Sequence, residues 1–435
     1  MVSRLPDEGC NPPGAMAVAA VGSVQDARRT GSAAAAILRR CGVNMNLAPV
    51  LDISSNPDHP GNGVRSFGDT AEAVSRYGIA EMLGMQEGGV AVCVKHFPGC
   101  GAAEKDSHLT LPRIDLTLEE LDERELGPFR DAAAAGVDAV MVSHCLFSRI
   151  DPQLPGTMSP QIIRGLLRKK LGCQGLLLSD CMEMGAIAEH FGVVEGAVAS
   201  LKAGMDIVMT SHCAGYAFQI AQRMFDACQS GKLDLLELEE SADRILAAKD
   251  RRRRTANGLP DRSACRQWLY GMKERSLTLV HAPEDRVPPL GSCPVFIGCR
   301  DYRNTLAENR TEDEFTFPDL MRENAGRGAA IIISQNPEPE EIARVAAELP
   351  EASCIVFGSC NAHLYRGQLD MIHMLAEKEV PMTVVALRDP YDLRGLPERV
   401  CSIAAWEYTR IMCGIVSRFL AGTLSAGGKL PLCNF

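Results

Sequence analysis

The chain has 435 residues, 46% of them hydrophobic and 23% charged, enough for two domains each with its own core. Its formal net charge of −10 argues against nucleic acid as a partner, since phosphate binding needs a clustered positive surface. No apolar run reaches the roughly 18 residues of a membrane span. The 17 cysteines include no CxxC pair, so no zinc site is expected, and many sit in apolar runs. Buried free thiols favour a reducing, cytoplasmic location.

Along the first half, short apolar runs alternate with helical patterns. The runs are 43–50, 90–94, 139–142, 176–178 and 206–209. Alanine-rich helices are expected over 26–39 and 121–135, with Thr117 and Glu120 forming a capping box. Such alternation predicts parallel strands joined by helical crossovers. Polar residues follow several strand ends: Asp52, Lys95-His96, Ser143-His144 and Ser179-Asp180. A (β/α)8 TIM-type barrel keeps its chemistry at such ends. One crevice of an open doubly wound sheet would not use so many successive strands.

A last barrel helix is expected over 238–246, followed by the basic run Arg251 to Arg254, read as a solvated helix end. Strands at 295–297, 330–333, 354–357 and 383–387 predict a smaller α/β sandwich domain with a parallel sheet. The expected division is a catalytic barrel over 1–255, a linker helix over 256–275 and the sandwich over 276–435.

Each polar cluster has a plain reading beside a chemical one. Asp180 follows the buried run Leu176-Leu177-Leu178, where a carboxylate can attack an anomeric carbon. Taken alone, a helix cap is the better reading of such an aspartate. Asp106 and His108 are two apart, so in an extended segment they point the same way. Asp106 can then orient the imidazole of His108 for proton transfer, although a polar surface loop is the commoner case. Lys95, His96 and Arg65 can donate to sugar hydroxyls or serve as internal staples. Asp52 reads as a residue that holds a strand end.

Together these segments resemble the N-acetylglucosaminidase branch of glycoside hydrolase family 3. Lys95-His96-Phe97-Pro98-Gly99 leading to Asp106-Ser107-His108 carries most of the likeness. Pro13 to Ala17, Asn46 to Asp52, Arg65 to Asp69, Ser179 to Ala186 and Ala203 to Met209 extend it. Arg388 to Leu393 and Gly428 to Pro431 resemble the second domain of longer members. The resemblance implies a retaining β-N-acetylhexosaminidase acting on terminal β-linked N-acetylglucosamine of muropeptides or chitooligosaccharides. It implies Asp180 as nucleophile, and His108 assisted by Asp106 as acid/base. It implies Arg65, Lys95 and His96 as sugar-binding residues, with no cofactor or metal required.

The chain departs from the family at Cys100, usually histidine, and at Ala102 and Ala103, usually polar. Val2-Ser3-Arg4-Leu5 resembles the tail of a segment preceded in the family by two further strand–helix steps. The expectation is therefore a barrel lacking its first strands, with a misplaced start codon, and without one substrate-binding aspartate found upstream in the family. The alternatives are a β-glucosidase or phosphorolytic hexosaminidase of the same family, or a non-catalytic carbohydrate-binding protein.

Overall fold

The computed structural model describes residues 11–59, 61–103, 111–254, 261–301 and 315–435. The chain divides into two compact units. One comprises Val24–Asn62 and Ser66–Arg262; the other contains Ser263–Phe435, Gly63–Arg65 and the residues before Val24. The helix Arg262–Ser276, expected as a linker, thus groups with the second unit.

The first unit is built on parallel strands β1 (Met45–Asn46), β2 (Ala91–Phe97), β4 (Ala139–Val142), β6 (Leu176–Cys181) and β7 (Ile207–Met209). They pair in the order β1-β2-β4-β6-β7. Helices separate them: Val24–Arg40 before β1, Ala71–Glu87 before β2, the π-helical segment Gln161–Lys170 before β6 and Val193–Ala203 before β7. Parallel neighbours joined by helical crossovers are the construction of a TIM-type barrel, and every strand presents its carboxyl end to the same rim. Two further strands, β3 (Arg113–Ile114) and β5 (Leu146–Phe147), form a small parallel pair that the sequence pattern did not suggest.

Local chemistry accounts for several boundaries. Thr117 accepts from the Glu120 N–H at 3.2 Å while the Glu120 carboxylate accepts from the Thr117 N–H at 2.8 Å, the expected capping box. The helix expected over 121–135 is two helices, Leu118–Arg124 and Gly127–Ala134. Pro128 lies in the first turn of the second, where its missing N–H is harmless, so it starts a helix rather than interrupting one. Helices Val24–Arg40 and Ala71–Glu87 approach backbone to backbone. A Cβ on Gly31 would lie 2.1 Å from the Glu81 carbonyl oxygen, and one on Gly84 would lie 1.8 Å from that of Arg28.

The second unit holds a six-stranded sheet of β8 (Thr278–His281), β9 (Pro294–Cys299), β10 (Ala329–Ile333), β11 (Cys354–Ser359), β12 (Met382–Ala386) and β13 (Val400–Ala404). Its order is β10-β9-β11-β12-β13-β8, with β8 antiparallel at the edge and the rest parallel. Strands β9, β11, β12 and β13 are fully buried, and Phe296, Ile297, Phe357, Val384 and Ile403 form part of their core. Met16, Ala17 and Ala20 of the helix Ala15–Ala20 belong to this same core. A buried ion pair, Lys273 to Glu407 at 2.5 Å, and the Trp406 indole donating to the Ser276 carbonyl at 2.6 Å tie the helix Arg262–Ser276 to the chain following β13. The cysteines of the described residues are free thiols, most of them buried.

Candidate active site

The carboxyl ends of β2, β4, β6 and β7 gather the polar residues of the first unit. Asp52 follows an isolated parallel bridge between Val50 and Lys95, and its side chain is buried. Its carboxylate accepts from the His96 ring Nδ1 at 2.6 Å, the His96 N–H at 3.3 Å and the Cys100 N–H at 2.8 Å. Burial pushes the Asp52 carboxyl up, but the His96 ring and these donors outweigh it and hold the group below the ordinary carboxylate range. Asp52 is thus an anionic anchor for both the His96 ring and the turn at residues 96–100. The peptide bonds Lys95–His96 and Phe97–Pro98 are cis.

With Nδ1 committed to Asp52, the other nitrogen of His96, Nε2, faces the Asp180 carboxylate at 3.9 Å. Asp180 lies on β6, partly exposed, and its Oδ1 accepts from the Cys181 N–H at 2.8 Å. Burial raises its pKa, while His96, His144 and Lys95 lower it further than burial raises it, so the group stays ionised. The 3.9 Å gap exceeds a hydrogen bond, so His96 and Asp180 are arranged around shared space rather than bonded to each other.

His144, just beyond β4, is buried between the Thr157 hydroxyl at 2.8 Å from Nδ1 and the Cys181 carbonyl at 2.9 Å from Nε2. A carbonyl only accepts, so Nε2 carries the proton, and His144 fixes the strand residue next to Asp180. Ser179 is equally structural: its hydroxyl accepts from the Met209 N–H at 3.0 Å and joins β6 to β7. The turn after β2 packs tightly. A Cβ on Gly101 would lie 1.6 Å from the Ile53 carbonyl oxygen, and the Asn56 amide donates to the Ala103 carbonyl at 3.0 Å. The Cys100 and Cys145 thiols are 3.3 Å apart. Beneath this turn Glu125 is buried, its carboxyl pushed up to about 7 by burial and by the charge of Asp52.

The structure therefore brings together Asp180, His96 and Lys95 of the residues expected from sequence. Arg65 lies in the single turn Gly63–Arg65, which belongs to the other compact unit, where the Val64 N–H donates to the Asp389 carboxylate at 2.6 Å. Asp106 and His108 fall outside the described residues. Sequence reasoning gave no role to His144 or Glu125. His144 carried a signal, a polar pair at a strand end matching Lys95-His96. Glu125 carried none, since it closes an acidic helix that reads as surface.

Comparison with known proteins agrees with this geometry. Residues 1–248 match the family model described as the glycosyl hydrolase family 3 N terminal domain. Beta-hexosaminidase A of Pseudoalteromonas piscicida is 31% identical over 241 residues, covering 51% of this chain and 40% of that protein. A beta-hexosaminidase of Neisseria meningitidis serogroup C is 37% identical over 183 residues, covering 42% of this chain and 50% of that protein. The chain thus spans about half the length of these curated relatives. Among solved structures, a glycoside hydrolase family 3 beta-N-acetylglucosaminidase from Paenibacillus sp. str. FPU-7 superposes with a TM-score of 0.89. It is 35% identical, and the match covers 99% of this chain and 84% of that one.

Proposed function

Because the chain belongs to glycosyl hydrolase family 3, we propose that it is a retaining β-N-acetylhexosaminidase releasing terminal β-linked N-acetylglucosamine from muropeptides or chitooligosaccharides. The observation that carries this reading is the Asp180 carboxylate, held ionised at a strand's carboxyl end and faced at 3.9 Å by the Asp52-anchored His96.

In this reading Asp180 attacks the anomeric carbon as the bond to the leaving oxygen breaks. His108, oriented by Asp106, gives that oxygen its proton. The neutral imidazole then takes a proton from water, which displaces Asp180 and restores both groups. Lys95 and His96 donate to the sugar hydroxyls. A histidine acid/base and the amino-sugar relatives support N-acetylglucosamine over glucose as substrate.

The test is a trapping experiment. A fluorinated N-acetylglucosaminide should label the protein on the peptide containing Asp180, as read by mass spectrometry. Asp180→Asn should abolish labelling and lower kcat on 4-nitrophenyl N-acetyl-β-glucosaminide by about 10³-fold or more, roughly 4 kcal/mol of transition-state stabilisation. Labelling that persists in this variant would remove Asp180 from the nucleophile's role.

A further inference from the structure

A cluster outside the proposed reaction lies on the same rim. Cys181 ends β6, Glu183 sits in the turn after it, and His212 precedes the helix Ala214–Gln229. Their ligand atoms, one thiol sulfur, one carboxylate oxygen and one imidazole nitrogen, all lie within 4.8 Å of one another. Thiolate, imidazole and carboxylate together suit a borderline-soft divalent cation better than magnesium or calcium.

The cluster has a built side and an adjustable side. The Glu183 carboxylate accepts from the backbone N–H groups of Ser211 at 2.7 Å, His212 at 2.9 Å and Cys213 at 2.9 Å. Three of its roughly four lone-pair positions are therefore filled, which orients the group and leaves one outward. Cys181 is buried, and its sulfur lies 2.8 Å from the Ser211 hydroxyl oxygen. That hydroxyl in turn sits 3.4 Å from His212 Nδ1, bridging thiol and imidazole. His212 is exposed, so its ring is the part free to swing. Ligands about 2.0–2.3 Å from a tetrahedral zinc stand roughly 3.5 Å apart, a contraction that rotation of His212 can supply.

We propose that Cys181, Glu183 and His212 form a binding site for a thiophilic divalent cation of the zinc class, with a fourth coordination position open to solvent. The site goes beyond the glycosidase reading and does not depend on it. It has a consequence for that reading, because the N–H of Cys181 is the group that holds Asp180. A cation on the Cys181 sulfur fixes the residue next to the proposed nucleophile, and the expected effect on turnover is inhibition reversed by a chelator.

The experiment titrates the reduced full chain with cadmium(II), then with cobalt(II). The cadmium–thiolate charge-transfer band in the ultraviolet and the visible bands of tetrahedral cobalt report the complex without any assay of hydrolysis. Exposed thiols such as Cys213 also take up cadmium, so variants decide. Cys181→Ser should remove one thiolate band. The surface change His212→Ala, with folding checked by circular dichroism, should weaken the tightest site by roughly tenfold or more. Cys213→Ser should leave that site unchanged. Equal affinities and spectra for the unmodified chain and His212→Ala would overturn the proposal, as would loss of the tight site in Cys213→Ser. Retained cation binding with no N-acetylglucosaminidase activity would count against the proposed function alone.

Discussion

At the scale of single residues, the rim separates carboxylates by their surroundings. Asp52 and Asp180 are both kept ionised by the histidine between them, while Glu125 is a third carboxylate with little to stabilise its charge. Its Oε1 accepts from the Ser55 hydroxyl at 3.3 Å, and its Oε2 is buried without a hydrogen-bond partner. Folding raises the pKa of Glu125 to about 7, so the unfolded chain loses this proton first as pH rises. The contribution to stability is therefore largest below about pH 4, declines through the interval up to about 7, and is lost above it. Glu125→Gln removes the titrating group. It should stabilise the protein at pH 8 by up to about 3 kcal/mol and by less than about 1 kcal/mol at pH 5. Urea unfolding of both proteins at the two pH values measures this; the same difference at both would show that burial does not shift the titration of Glu125. None of this was legible in the sequence, where Glu125 ends a run of acids and nothing marks one as buried. Asp52 was legible as a holding residue because it follows an apolar strand-like run.

At the scale of elements, the turn after β2 determines the site. It starts at His96, is anchored on Asp52 through the Cys100 N–H, and passes Gly101 against the Ile53 carbonyl. Gly101→Ala forces that contact apart, an overpacking expected to cost about 1–3 kcal/mol and to displace the Cys100 N–H from Asp52. Thermal melting and kcat should fall together; a variant matching the parent in both would mean the turn is loose. Elements were readable where pattern and chemistry coincide, as in β4, whose apolar run matches the strand end to end. The expected run at 43–50 shrank to Met45–Asn46 and an isolated bridge at Val50 because the segment between them makes no ladder. The strands β8 and β13 escaped notice since polar Thr278, His281 and Ser402 break their apolar runs and neither alternates clearly. The cation cluster was equally unreadable: Cys181 and Glu183 come from the end of β6 and its turn, and His212 from a segment 29 to 31 residues later, unlike the compact spacing of a zinc finger.

At the scale of the whole molecule, the barrel class and the second α/β sheet were both legible, from the alternation of strand and helix patterns. The membership of each segment was not. The core of the second unit includes Met16, Ala17, Ala20 and Val64, and its edge takes a hydrogen bond from the Lys429 N–H to the Ala20 carbonyl at 2.8 Å. Burying a methionine side chain such as Met16 contributes about 1.5–3 kcal/mol, a large share of a domain's net stability. A fragment of residues 263–435 should therefore bind an apolar dye and melt at a lower temperature than the same unit in the full chain. A monomeric fragment that binds no dye and melts in one step at the original temperature would refute this. The same arrangement sets a schedule for synthesis. The helix Ala15–Ala20 leaves the ribosome about 270 residues before β9 does, which at roughly 5–20 residues per second is a wait of about 15–55 seconds. Throughout that interval Met16 and its neighbours have no sheet to cover them. The nascent chain thus carries an apolar segment that only strands made much later can shelter.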